Sequence, residues 1–424
     1  MLLDLGPLRR HPDFRRLFVG QLVSTFGNMI TFVAVPYQVY ELTKSSAVVG
    51  FLGVAQLVPL LLFGLLGGAY ADAMDRRRLL VFAELALAAG SALLMANAFA
   101  AHPSVVLIFG VSALMSAING FHRPALESMT PRLVAPDELT TVGALSSLRG
   151  SVGAIAGPAL GGVCIASFGL GATYAIDLAT FVVSLLALAA MKAMPPSPEA
   201  ARPGLSSIAE GLRYARSRPE IIGTYVVDIV AMTFAMPMAL FPAIAQPWGA
   251  ANAVGWLYSA MSLGSLAITL FSGWSVKVVR HGAAVVIAAA LWGVAITAFG
   301  FSPNLLVAVI LLAVAGGADM VSALFRMTIW NETIPGHLRG RLAGVELISY
   351  MTGPLLGNAR AGSMAALTSN RFSIVCGGVV CVAGVLLCIP LLPRFWSYCR
   401  PEKDEVAPAA APATTVNESR NEAT

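Results

Sequence analysis

Gly67-Gly68-Ala69-Tyr70-Ala71-Asp72-Ala73-Met74-Asp75-Arg76-Arg77-Arg78 is the stretch that decides how this chain is read. Two glycines, two carboxylates and three consecutive arginines stand here between two long apolar runs. A polar interruption this short, between runs this apolar, is the turn of a chain that leaves a membrane and goes straight back into it.

Working outward, the same alternation covers the chain. Of its 424 residues, 57% are hydrophobic and 12% charged, and the mean hydropathy is +0.77. A soluble domain carries roughly twice that charged share, and its helices show one polar face. Most runs here are apolar all round. A helix is the element that satisfies its own backbone where no water can reach, so runs of about 20 apolar residues read as membrane spans. Twelve are expected, near 18–40, 48–70, 79–100, 104–124, 141–167, 171–193, 221–244, 253–276, 283–301, 304–326, 342–366 and 373–392, numbered below as spans 1 to 12. The fold class is therefore an all-α polytopic membrane protein. Short connections such as Ala101-His102-Pro103 and Ser302-Pro303-Asn304 make neighbouring spans antiparallel.

Basic residues set the expected orientation. Of 27 lysines and arginines, 23 fall on the side of the N-terminus, against Lys44 and Arg371 on the other and Arg149 and Arg360 within spans. Both termini are expected in the cytoplasm, with the protein in the cell membrane. The formal net charge of +5 then follows from topology and does not imply nucleic-acid binding. The basic start, Met1 to Arg16, precedes a long run with no small-residue cleavage site, which reads as an uncleaved first span.

The segment 194–220 divides the chain. It opens with Pro195-Pro196-Ser197-Pro198, and Ile208, Leu212 and Ala215 share a helical face flanked by Arg213, Arg216 and Arg218. That pattern fits an amphipathic helix lying on the membrane surface. The expected organisation is a six-helix bundle over 1–193, this linker, a second six-helix bundle over 221–400, and a disordered tail over 401–424 rich in Ala, Pro and Glu. Landmarks recur between the bundles at similar offsets. Gly68 and Asp72 answer to Gly273 and Lys277, Arg123 to Arg326, and Gly157-Pro158-Ala159-Leu160-Gly161 to Gly353-Pro354-Leu355-Leu356-Gly357. A parallel repeat of this kind puts a cavity between its halves.

Several classes lack their signatures. No HExxH, CxxC pair or other metal-ligand spacing occurs among the five histidines and five cysteines, and no clustered nucleophile or paired catalytic acids stand out. Neither an enzyme nor a cofactor is expected, and no metal. No soluble sensory domain marks a receptor.

Gly68-x3-Asp72-x2-Asp75-Arg76-Arg77 resembles the signature between spans 2 and 3 of the major facilitator superfamily of transporters. Gly153-x3-Gly157-Pro158-x2-Gly161-Gly162 in span 5 resembles that superfamily's antiporter motif, associated with exporters. The run from Arg123-Pro124-Ala125 through Pro131-Arg132-Leu133-Val134-Ala135-Pro136-Asp137-Glu138-Leu139 is similar to the branch containing enterobactin and macrolide exporters. The resemblance implies a proton-coupled, alternating-access exporter of a small amphiphilic compound, working as a monomer. Uptake or lipid flipping on the same scaffold is the alternative, and from another class a non-transporting membrane receptor or enzyme.

The candidate residues fall into sets. Asp72 reads as a cytoplasmic latch facing the start of span 11 near Arg339-Gly340-Arg341, where a helix N-terminus favours a carboxylate. Arg76 is expected to pair with Glu127 or Asp137, and Arg77 and Arg78 to anchor the loop. The span 5 glycines bare one helix face for close approach, and Pro158 can bend it. Ionisable residues within spans are costly and so mark function. These are Glu84, Arg149, Asp177, Asp228, Asp319, Glu346 and Arg360. Glu84 is expected to snorkel or to pair with nearby arginines, and Arg360 to find an acid. By the resemblance, spans 7 and 10 line the cavity, so Asp228 and Asp319 lead for proton coupling, followed by Asp177, Glu346 and Arg149. Many relatives carry Gly-Asp in span 1 where this chain has Gly27-Asn28, and Asn28 can bind cargo but carry no proton. Asn28, Phe32, Tyr225 and Phe234 are the candidate cavity residues, with Phe26, Tyr37, Met236, Trp256 and Tyr258 offering further aromatic or soft surface.

Overall fold

The computed structural model describes residues 4–73, 75–192, 213–335 and 339–400, with the side chains of 64–73 and 339–349 outside the description. Among the described residues there is no strand. Ten described helices are long and apolar enough to cross a membrane. They are span 1 (Pro12–Thr43), span 2 (Ser46–Ala73), span 3 (Arg76–Phe99), span 4 (Val105–Met129), a joint helix Leu139–Ala189, span 7 (Pro219–Ala235), span 8 (Ala251–Leu270), span 9 (His281–Phe299), span 10 (Leu305–Thr333) and span 12 (Asn370–Leu391). The joint helix has 51 residues. At 1.5 Å per residue it would run about 77 Å, more than twice a bilayer core of about 30 Å. Its course breaks at Gly169, whose φ of 77° is open to glycine and strained for other residues. It supplies the expected spans 5 and 6 on either side of that break. Arg339–Leu367, 29 residues long, stands where span 11 is expected.

Starts of spans are fixed by side chains that satisfy otherwise orphaned N–H groups. Asp75 accepts from the Arg78 amide at 2.9 Å, Asn304 from Val307 at 3.0 Å and Ser369 from Phe372 at 3.1 Å. Asp75, expected in the gating motif, is thus the N-cap of span 3. Arg77, expected as an anchor, donates at 2.8 Å to each of the Leu188 and Ala189 carbonyls, tying the start of span 3 to the end of span 6. Glu127 pairs with Arg123 at 3.3 Å, and Asp137 opens a short turn before the joint helix.

Several boundaries differ from expectation, three of them near the charged residues of the spans. Span 7 stops at Ala235 instead of running to 244, because Pro237 follows; a 3-10 turn (Met238–Leu240) and a short helix (Phe241–Ile244) complete it. Spans 4 and 10 overrun their expected ends at 124 and 326, reaching Met129 and Thr333. Of the expected linker helix, residues 193–212 lie outside the described residues, as does the tail from 401. Residues 213–217 are helical, and Tyr214 donates to the Thr333 carbonyl at 2.8 Å.

The span 5 glycines divide their work. Gly153, Gly157 and Gly161 lie against Thr25, Met29 and Ile30 of span 1, within the same bundle. Gly162 lies against Gly255 of span 8, where a Cβ would come within 3.0 Å of the facing Cα. Span 11 repeats this: Gly353 and Gly357 lie on Met232 of span 7, and Gly362 on Ser46 of span 2. One small-residue face thus serves packing inside a bundle first and the seam between bundles second.

Candidate functional site

Among the described residues, several contacts join residues before 193 to residues after 212 near the span ends away from the termini. Span 2 meets span 11 through Gly53, whose Cβ would come within 3.0 Å of the Leu355 carbonyl, and through Gly50 beside Asn358. Ser46 donates to Asn370 at 3.1 Å, and Gln246 to Glu41 at 3.0 Å. Ser259 donates to the Ile155 carbonyl at 2.6 Å, and the Phe32 and Tyr258 rings meet edge-on at 5.3 Å. These contacts run from mid-depth to the face away from the termini. Towards the other face, Gly143 and Gly150 of span 5 have nothing within 4 Å of an added Cβ. Phe32, a candidate cavity residue, is 47% exposed and stands at this junction.

Below that closure, spans 7 and 10 bring three charges together. Asp228 on span 7 forms an ion pair with Arg326 on span 10. A second Arg326 nitrogen lies 3.9 Å from Asp319, seven residues and two helical turns earlier on the same face. Asp228 and Arg326 are each 8% exposed, whereas the Asp319 side chain is 36% exposed. Both leading acids thus meet on one guanidinium. Arg326 marks only a span end in the sequence, because the expected span stops there; seven further residues of helix bury it.

Spans 1, 3, 4 and 6 hold a separate polar seam. Buried Gln21, Thr31 and Gln38 lie on one side of span 1, Glu84 and Ser91 on span 3, and Tyr174, Asp177 and Ser184 on the span 6 arm. They meet in rungs. Gln21 donates to Glu84 at 2.7 Å and to Ser184 at 3.3 Å. Thr31 and Ser91 each donate to Asp177 Oδ2 at 2.6 Å, and Tyr174 donates to Gln38 at 2.8 Å. Glu84 is fully buried and pairs with His122 of span 4 at 3.1 Å, which corrects the expectation that it snorkels or pairs with arginines. His122, two residues before the expected end of span 4, was not among the candidates.

The other candidates lie apart from these clusters. Arg360 makes no ion pair with a described acid; its guanidinium donates to the Ser373 carbonyl at 3.3 Å and rests over Gly377, which corrects the expected acid partner. Arg149 is half-buried in span 5, away from the triad. Tyr225 stacks on Trp330 at 5.4 Å between spans 7 and 10, and Phe234 packs on the apolar core of the C-terminal bundle. Asn28 is half-buried beside Gly27, which lies against Asp177. The side chains of Gly68 to Asp72 and of Glu346, and hence the expected latch, lie outside the described residues. No group of three metal-ligating side chains occurs among the described residues.

Compared with known families, residues 4–418 match the model of the transmembrane secretion effectors of the major facilitator superfamily. The chain belongs to this family. This transmembrane secretion effector is similar to the enterobactin exporter EntS of Citrobacter koseri, 31% identical over 403 residues, 93% of this chain and 96% of that one. It is also similar to the enterobactin exporter EntS of Escherichia coli O1:K1 / APEC, 30% identical over 398 residues, 92% and 94% of the two chains. Its fold is that of a peptide transporter POT in complex with sulfate (TM-score 0.73, 15% identity, 91% and 95% of the two chains). It also matches a bacterial homologue of the iron transporter ferroportin in an inward-facing state (TM-score 0.69, 15% identity, 91% and 99%). The chain is therefore a multi-pass membrane transporter and not an enzyme, and the two relatives it is similar to in sequence are exporters.

Proposed function

We propose that the protein exports a small amphiphilic compound of the siderophore class from the cytoplasm, by alternating access and in exchange for protons. Both termini are cytoplasmic in this reading, and the two six-helix bundles rock about the cargo. The closure of the far side supports an inward-facing conformation, in which cargo enters between the bundles from the cytoplasm. Enterobactin export by the two relatives supports the cargo class.

The observation that carries the coupling is the Asp228–Arg326–Asp319 cluster. Two carboxylates share one guanidinium, so a proton arriving on the more open Asp319 leaves Arg326 committed to Asp228. Cargo bearing a negative group competes for the same guanidinium. Either event redistributes charge between spans 7 and 10 and so favours one arrangement of the wall over the other. Phe32 and Tyr258 close the roof with aromatic surface suited to a flat amphiphile.

Everted membrane vesicles containing the protein, energised with an acid-inside pH gradient, are expected to accumulate enterobactin. Asp319→Asn and Asp228→Asn are expected to abolish the gradient-driven part. Accumulation that ignores the gradient, or that both variants retain, contradicts the coupling assignment; movement in the opposite direction favours uptake.

A further inference from the structure

The geometry points to Asp177, with Thr31, Ser91 and Thr180, as a binding site for one monovalent cation, a proton or a sodium ion, inside the N-terminal bundle. Asp177 is fully buried, eight residues or about 12 Å along the helix from Gly169. Its Oδ2 accepts from Thr31 and Ser91, each at 2.6 Å. Its Oδ1 has no hydrogen-bond partner, although it is buried. Thr180 donates to the Asp177 backbone carbonyl at 2.7 Å, placing its hydroxyl oxygen on the same side. Opposite stands Gly27, where a Cβ would collide with both Asp177 Oδ1 and Thr180 Oγ1. A glycine there is what lets the carboxylate oxygen and the hydroxyl oxygen both lie directly against span 1.

Charge sets Asp177 apart from the other described acids within the spans. Asp228 has Arg326, and Glu84 has His122 and Gln21. Asp177 makes no ion pair with a described residue; hydroxyls alone surround it, with Tyr174 and Gln38 in the next rung on one side and Glu84 with His122 on the other. An uncompensated carboxylate at this depth is costly, and two hydroxyl donors on one oxygen do not supply the missing charge. A cation on Oδ1 does, and an all-oxygen surrounding suits a hard monovalent ion as well as a proton. That this cation is the one exchanged for cargo rests on the export reading above; that it binds does not.

The test needs no cargo. Purified protein in nanodiscs is unfolded thermally at constant ionic strength, in sodium chloride against choline chloride at pH 8, and separately in choline chloride from pH 8 to pH 6. A bound cation stabilises the folded form by mass action. A sodium site predicts a saturable rise in Tm with sodium that Asp177→Asn loses. A proton site predicts no sodium effect and a rise on acidification that is smaller in Asp177→Asn, the contribution of Glu84 and His122 being common to both proteins. Should Asp177→Asn not fold, Ser91→Ala and Thr31→Val keep the carboxylate and each remove one supporting hydroxyl; the sodium or pH midpoint is expected to move by roughly tenfold in concentration. Identical sodium and pH responses in wild type and Asp177→Asn, or unmoved midpoints in the hydroxyl variants, overturn the assignment.

Discussion

At the scale of residues, the account turns on how buried charges are matched. Asp228→Asn removes the carboxylate from a guanidinium that is 8% exposed, and breaking a buried pair costs about 3–5 kcal/mol. Asp319 at 3.9 Å offers Arg326 a second partner, so the loss is expected towards the lower end. The double variant Asp228→Asn/Arg326→Gln removes both members of the buried pair, leaving only the more exposed Asp319 carboxylate, and is expected to regain part of the stability without regaining transport. Thermal unfolding of the two single variants and the double variant in nanodiscs checks the first point, and vesicle transport the second. Equal stability across the set contradicts the pairing. The acids themselves were legible in the sequence, because any carboxylate amid apolar residues stands out. Their partners were not. Arg326 and His122 each sit within two residues of an expected span end, where they read as boundary residues, and their burial depends on helices that continue to Thr333 and Met129. Gln21, Thr31 and Ser91 carry no charge to notice, and their meeting with Glu84 and Asp177 depends on the rotation of three helices about their axes.

At the scale of elements, small residues decide which helices touch across the molecule. The Gly162–Gly255 contact lets spans 5 and 8 close the far side, and Gly50 and Gly362 do the same for spans 2 and 11. Gly162→Leu is expected to hold the far side open while insertion stays normal. With cysteines in place of Ser46 and Asn370, whose side chains meet at 3.1 Å, disulfide formation is expected in the parent and a several-fold lower yield in the Gly162→Leu background. Equal yields sink the closure account. Asp72→Asn is expected to depress transport at normal expression, through loss of the latch proposed between spans 2 and 11; unchanged transport contradicts that latch. The existence of the spans was plain from hydropathy, whereas two of their irregularities were not. The break of span 7 lies at Met236-Pro237, inside a run that stays apolar, and the bend at Gly169 occupies so few residues that helix continues on both sides. The antiporter-like glycines were found from their spacing, which left their partners open: three of them pack on span 1. A spacing pattern names the bare face of a helix without naming the neighbour that uses it.

At the scale of the whole molecule, the far-side closure and the charged wall of spans 7 and 10 form one device in the proposed cycle. Closure without the charge cluster would be a gate with nothing to drive it. The cluster without a gate would be a leak. The most direct measurement records cargo and proton movement together. Proteoliposomes loaded with enterobactin and a pH-sensitive dye, with no imposed gradient, are diluted into cargo-free buffer at matched pH. The account predicts that enterobactin efflux carries protons inwards, acidifying the lumen in wild type, and that Asp319→Asn removes the acidification. Efflux through the wild-type protein at an unchanged lumenal pH would contradict it.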